Sequence, residues 1–73
     1  MSADQETVQR LGARIRELRT AKGWSQERLA ERADLDRTYV GHLERATRNP
    51  SITNVAKIAR AFGCSLSDLF QGI

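Results

Sequence analysis

The stretch SQERLAERADLDRTYVGHLER, residues 25–45, decides the fold. Ser25 is a good N-cap, and Gln26, Glu27, Arg28, Leu29 and Ala30 behind it are fair to strong helix formers, so a helix starts here and runs to about Arg32. Asp36 is a second capping residue and opens another helix over Arg37 to Arg45. Only about four residues lie between the two, which makes them near neighbours at a steep angle. Within the stretch the small and apolar residues are Leu29, Ala30, Ala33, Leu35, Val40 and Leu43. Their spacing fits two helices packed across a tight turn, with Ala30 small where the second helix crosses, Leu35 plugging the turn, and Val40 and Leu43 anchoring the second helix to a core.

Upstream, Val8, Leu11, Ile15 and Leu18 fall at i, i+3, i+7 and i+10, one face of a helix, while Arg10, Arg14 and Glu17 lie on its other faces. Thr7 is the expected cap and Gly23 suits the left-handed position past the end, so this first helix is read over about Glu6 to Lys22. Downstream, Pro50 bars helix before Ser51, which caps a segment carrying Ile52, Val55, Ala59 and Phe62 on one face and stopping at Gly63. Ser65 with Asp68 three residues on is close to a capping box and opens a last short helix whose apolar side is Leu66, Leu69, Phe70 and Ile73. No β-branched alternation, repeat or low-complexity run interrupts the pattern. The expected fold class is all-α, five helices with no sheet, in one unit over residues 1–73.

Composition excludes several functions. Seventy-three residues leave no room for a two-lobed enzyme, and one His, one Cys and no metal-ligand spacing supply neither a nucleophile and base nor a metal site. No cofactor or small-molecule ligand is expected. No apolar run approaches the roughly 18 residues of a membrane helix, and the first ten residues lack a signal-peptide pattern, so a cytoplasmic place and no membrane partner are expected. Net charge is +3, which permits nucleic acid without demanding it. Residues 25–45 carry four basic and five acidic side chains, so affinity for a polyanion has to come from placed groups and not from bulk charge.

With Val40 and Leu43 turned inward, the outer face of the third helix is Arg37, Thr38, Gly41 and His42. A helix fits the major groove of double-stranded DNA, where Arg can bond guanine O6 and N7 together and Thr can meet a thymine methyl or a polar edge. Gly41 is read as allowing close approach. Trp24, Ile52, Val55, Ile58 and Phe62 are read as core and not as base-stacking residues, and Cys64 as inert.

The succession Gly23 to Ala30, Leu35 to Val40, Leu43-Glu44-Arg45 and Arg48-Asn49-Pro50-Ser51 resembles the Xre family, the phage-repressor and Cro type of helix-turn-helix regulators, over about Leu11 to Phe70. Asp36-Arg37-Thr38-Tyr39 in so short a chain resembles more narrowly the controller proteins of restriction-modification systems, which are dimeric. The resemblance implies base contacts from Arg37 and Thr38, to which the outer face of the third helix adds His42, and backbone contacts from Gln26, Tyr39, Arg48 and Asn49. It also implies an ion pair between Arg19 and Glu44 that ties the first helix to the end of the third. Asp34 departs from the pattern, standing where Gly is commoner at the left-handed turn position; Asp tolerates that conformation better than most residues. A protein-interaction module such as an antitoxin is the competing reading. A homodimer is expected from the C-terminal region, with Leu69, Phe70 and Ile73 at its interface, since few residues remain to cover them.

Overall fold

The computed structural model describes residues 2–73, with side chains from residue 5 onward. Five helices follow in order: α1 Ser2–Ala21, α2 Gln26–Ala33, α3 Arg37–Arg45, α4 Ile52–Phe62 and α5 Leu66–Leu69. Among the described residues there is no strand. The helix starts follow local chemistry. Ser25, Asp36, Ser51 and Ser65 are all extended, and their side-chain oxygens accept the N–H of Arg28 (3.0 Å), Thr38 (2.8 Å), Asn54 (3.2 Å) and Asp68 (3.0 Å). At α5 the box is reciprocal, Ser65 N–H donating to Asp68 Oδ2 at 3.3 Å. Each such cap contributes about 1 kcal/mol. Asp34 takes the left-handed conformation at φ 58° and ends α2, as the sequence requires of it.

The helices close around Ile15, Leu29, Val40, Leu43, Ile58 and Leu69, all at most 1% exposed. Ala30 and Ala33 are buried where α2 meets its neighbours, and Leu35 packs against this core from the turn. Trp24 lies half-buried at one end of the core, its ring stacked on Phe62 at 5.8 Å and 15°, with Lys22 Nζ and Arg32 Cζ 5.3 and 5.1 Å from its centroid. Its apolar area is thereby shielded by two cations instead of by more core.

Four expectations are corrected. First, α1 begins at Ser2, so Thr7 lies inside the helix and does not cap it. The earlier turn is held by an Arg10–Glu6 pair at 2.9 Å and by Gln5, whose Nε2 donates to the carbonyl of Ala46 at 3.3 Å. Second, Ile52 is 65% exposed, because α4 opens just after Pro50 and its first residue sits beyond the edge of the core. Third, Gly41 is not outward: it is buried, and a Cβ there would stand 3.1 Å from Arg45 Nη1, so the Arg45 side chain covers it. Fourth, Leu69 is fully buried in the core of its own chain and has no surface to offer a partner. Phe70 and Ile73 are half-buried against the same core, the chain turning back through Ile73 N–H to the Phe70 carbonyl at 3.0 Å.

What holds α5 in place is Arg14. Its guanidinium donates to the carbonyls of Asp68 (3.2 Å, from Nη2) and Leu69 (3.4 Å, from Nε), and to Glu17 at 3.3 Å. A four-residue helix cannot persist alone. Arg14 satisfies its open carbonyl end while Leu69 fills the core beneath.

The closest backbone approach is between α1 and the end of α3. A Cβ on Gly12 would overlap the Leu43 carbonyl oxygen and stand 2.9 Å from that of Glu44. Backbone cannot move aside as a flexible side chain can. Gly12→Ala should therefore cost about 2 kcal/mol or more by overpacking, in spite of a gain of up to about 1 kcal/mol in helix propensity. The urea midpoint measures this, and an unchanged or raised midpoint would show that the two helices do not meet so closely.

Candidate nucleic-acid interface

The reading surface is built from the inside outward. Val40 and Leu43 are buried, which fixes one side of α3 against the core and turns Arg37 and Thr38 to solvent. Neither Arg37 nor Arg48 makes an ion pair among the described residues, so both guanidinium groups face outward uncommitted. Asp36, directly before Arg37, is engaged by the Thr38 N–H and does not neutralise it.

Thr38, Tyr39, His42 and Arg48 come together with Leu35 and Asp36 around a shallow groove of about 550 Å³. Tyr39 is half-buried, its ring against the core and its face toward this groove. His42 is also half-buried, and its Nδ1 lies 2.7 Å from Thr47 Oγ1. Arg37 stands outside the groove on the exposed start of α3. Asn49 is not part of it; Asn49 borders a second, apolar groove of about 400 Å³ with Val8, Leu11, Pro50, Ile52 and Phe70.

Gln26 opens α2 beside the end of α3, and its Nε2 donates to Glu44 Oε1 at 3.0 Å. Glu44 is the centre of this end of the site. Its carboxylate, 3% exposed, accepts from Arg19 through Nε at 2.6 Å and Nη2 at 3.1 Å, and the third Arg19 nitrogen, Nη1, donates to the Trp24 carbonyl at 2.8 Å. One buried carboxylate therefore joins α1, the start of α2 and the end of α3. The amide of Gln26 is oriented by the same group at the start of α2, whose open first-turn N–H groups suit an anion. Among the described residues no three His, Cys, Asp or Glu side chains gather as a metal site would require, and no helix is long and apolar enough to cross a membrane.

Sequence reasoning placed these residues but missed several that support them. Thr47, five residues after His42, carries no motif of its own. Gly12 and Arg14 act on parts of the chain distant in sequence, at α3 and α5.

A family described as helix-turn-helix matches residues 15–69. The chain belongs to the helix-turn-helix family. It is 46% identical over 61 residues to the control protein C.BamHI of Bacillus amyloliquefaciens, covering 82% of this chain and 75% of that one. It is 43% identical over 65 residues to the control protein C.MunI of a Mycoplasma species, covering 88% of each. Among solved structures it is similar to the restriction-modification controller protein C.AhdI from Aeromonas hydrophila, at 50% identity and a TM-score of 0.82 over 85% of this chain and 94% of that one. The helix-turn-helix protein is thus a DNA-binding transcriptional regulator with controller proteins among its relatives, as the pattern around Asp36 to Tyr39 implied.

For this helix-turn-helix protein the bidentate contact between Arg19 and Glu44 should be energetically real. Removing one partner of a buried pair leaves an uncompensated charge and costs about 3–5 kcal/mol, as much as the whole stability of a chain this small. The cycle of Arg19→Met and Glu44→Gln is therefore best measured by denaturation in a stabilising osmolyte. A coupling above about 1 kcal/mol is expected; additive losses would mean that the two side chains only lie close.

Proposed function

We propose that two copies of the protein bind a near-palindromic operator in double-stranded DNA and control restriction-modification genes in the cytoplasm, with residues 1–73 acting as one helix-turn-helix domain. In each copy α3 lies in the major groove, where Arg37, Thr38 and His42 meet base edges. Gln26, Tyr39, Arg48 and Asn49 hold the sugar-phosphate backbone on either side. The observation that carries this reading is the uncommitted outward pair Arg37 and Thr38 on a helix whose opposite face is buried and whose far end is pinned by Glu44. Such a helix offers one surface only, in one orientation, as base reading requires. The controller proteins among its relatives support the same assignment.

A single reading helix spans few base pairs, and a two-fold dimer reads two half-sites about 34–36 Å apart. Support for a dimer comes from the apolar groove bordered by Val8, Pro50, Ile52 and Phe70, with Ile52 as the most exposed large apolar residue of the described chain. Burying that side chain against a second copy removes an apolar surface that this small core leaves uncovered. Phe70 contributes to that face from one edge, whereas Ile73 lines a separate groove with Arg10, Ala13, Arg14 and Glu17.

Two measurements follow. Arg37→Ala should weaken binding by about 1–3 kcal/mol and relax the choice at one base pair per half-site, whereas Arg48→Ala should weaken all duplexes alike and flatten the salt dependence. Uniform loss from Arg37→Ala, measured by mobility shift on singly substituted duplexes, would make it a phosphate contact instead. In sedimentation at micromolar concentration the protein should run as a dimer, and Ile52→Lys should give a folded monomer; a wild-type monomer, or an unaltered dimer in the variant, would place the interface elsewhere or remove it.

A further inference from the structure

We infer that Thr47, outside the recognition helix, is a positioning residue that fixes the proton of His42 on Nε2 and so makes position 42 a hydrogen-bond donor toward DNA. The inference rests on the reading of His42 as a base contact given above.

Ala46 takes the left-handed conformation at φ 58° and ψ 37°. A residue with a Cβ adopts it at a cost of about 1 kcal/mol or more. That turn folds the chain back over the last turn of α3, and the N–H groups of Ala46 and Thr47 both donate to the carbonyl of His42, Thr47 at 3.0 Å. It also carries the Thr47 side chain to the imidazole, Oγ1 to Nδ1 at 2.7 Å.

A hydroxyl has one proton to give. The two protein groups within its reach are His42 Nδ1 at 2.7 Å and the His42 carbonyl at 3.4 Å. That carbonyl already accepts the Thr47 N–H and shares the Ala46 N–H with the carbonyl of Leu43. The longer contact also lies beyond the usual range of about 2.5–3.0 Å for a hydroxyl donor. Of these two protein acceptors Nδ1 is the better placed, and the Thr47 proton is assigned to it. A neutral imidazole whose Nδ1 accepts carries its own proton on Nε2.

The free edge of His42 is then a donor. Nε2–H suits an acceptor in the major groove, guanine O6 or N7, adenine N7 or thymine O4, and is unsuited to cytosine, which presents only its amino group there. With Nδ1 held by Thr47 and the ring lining the groove shared by Thr38, Tyr39 and Arg48, both the tautomer and the ring plane are set before DNA arrives. Thr47 itself touches no base in this account.

The test has two arms, and His42 is the only histidine of the chain, so its signals need no separate assignment. In the free protein at about pH 8.5, where an imidazole is neutral, long-range ¹H–¹⁵N correlation spectra should show the Nε2–H form alone. Thr47→Ser should keep it, and Thr47→Val should give a mixture of tautomers. A dominant Nδ1–H form in the wild type, or no change in Thr47→Val, overturns the inference whatever the protein does with DNA. In the second arm, His42→Ala and Thr47→Val are each measured on singly substituted duplexes. Both should lose about 2–10-fold in affinity, the size of one hydrogen bond, and should relax the preference for an acceptor edge at the same base pair, with no further loss when combined. If the spectra behave as stated but His42→Ala leaves base preference intact, the assignment of His42 to base reading is what fails, and the donor role falls with it.

Discussion

Everything on the reading surface depends on where the end of α3 is held, and one carboxylate holds it. Glu44 is almost fully buried, accepts both forks of the Arg19 guanidinium, and orients the Gln26 amide at the start of α2. Burial of Val40 and Leu43 sets which side of α3 faces outward, and the close approach at Gly12 brings α1 against its end. The planar guanidinium of Arg19 fixes the direction of approach as well as the distance at that end, so the presentation of Arg37 and Thr38 is secured from the end of the helix opposite to them. A buried pair of this kind is a weak source of net stability. Its value here is orientation.

The charge of the motif also changes meaning once the structure is known. Residues 25–45 carry a net −1 by count, which taken alone would repel a phosphate backbone. One of those acidic groups does not face outward as a free charge. Glu44 is paired inside with Arg19, whereas Asp36 is exposed, caps α3 through the Thr38 N–H and lines the groove beside it. Glu31 lies 4.0 Å from Arg28 on the exposed side of α2. Beside Asp36, the exposed start of α3 and the loop after it carry Arg37 and Arg48 without ion-pair partners among the described residues, so placed cations count for more than the summed charge implies.

Much of the fold was legible because helix starts and stops are local events. Ser25, Asp36, Ser51 and Ser65 cap from within three residues, and Gly63 and Asp34 adopt left-handed geometry at the ends of their own helices. The expected all-α architecture and the bounds of α2, α3 and α4 follow from these. What the sequence hid depends on residues far apart in the chain. The first turn of α1 is held partly by Gln5 reaching Ala46, and α5 by Arg14 reaching Asp68 and Leu69. Periodicity put Ile52 and Leu69 on apolar faces correctly, but it cannot say how far a core extends: Ile52 falls beyond its edge and Leu69 at its centre. The same limit applies at the site. The outward Arg37 and Thr38 follow from helix phase, whereas the grip of Glu44 on Gln26 and of Thr47 on His42 depends on how three segments converge.

The central claim is that α3, presented in one orientation by two symmetric copies, reads base edges. Selection of bound duplexes from random DNA tests it most directly. The account predicts a consensus of two inverted half-sites whose centres lie about one helical turn apart, with the strongest preferences in the middle of each half-site. Recovered sequences with no common pattern, or with a single unrepeated site, would contradict it.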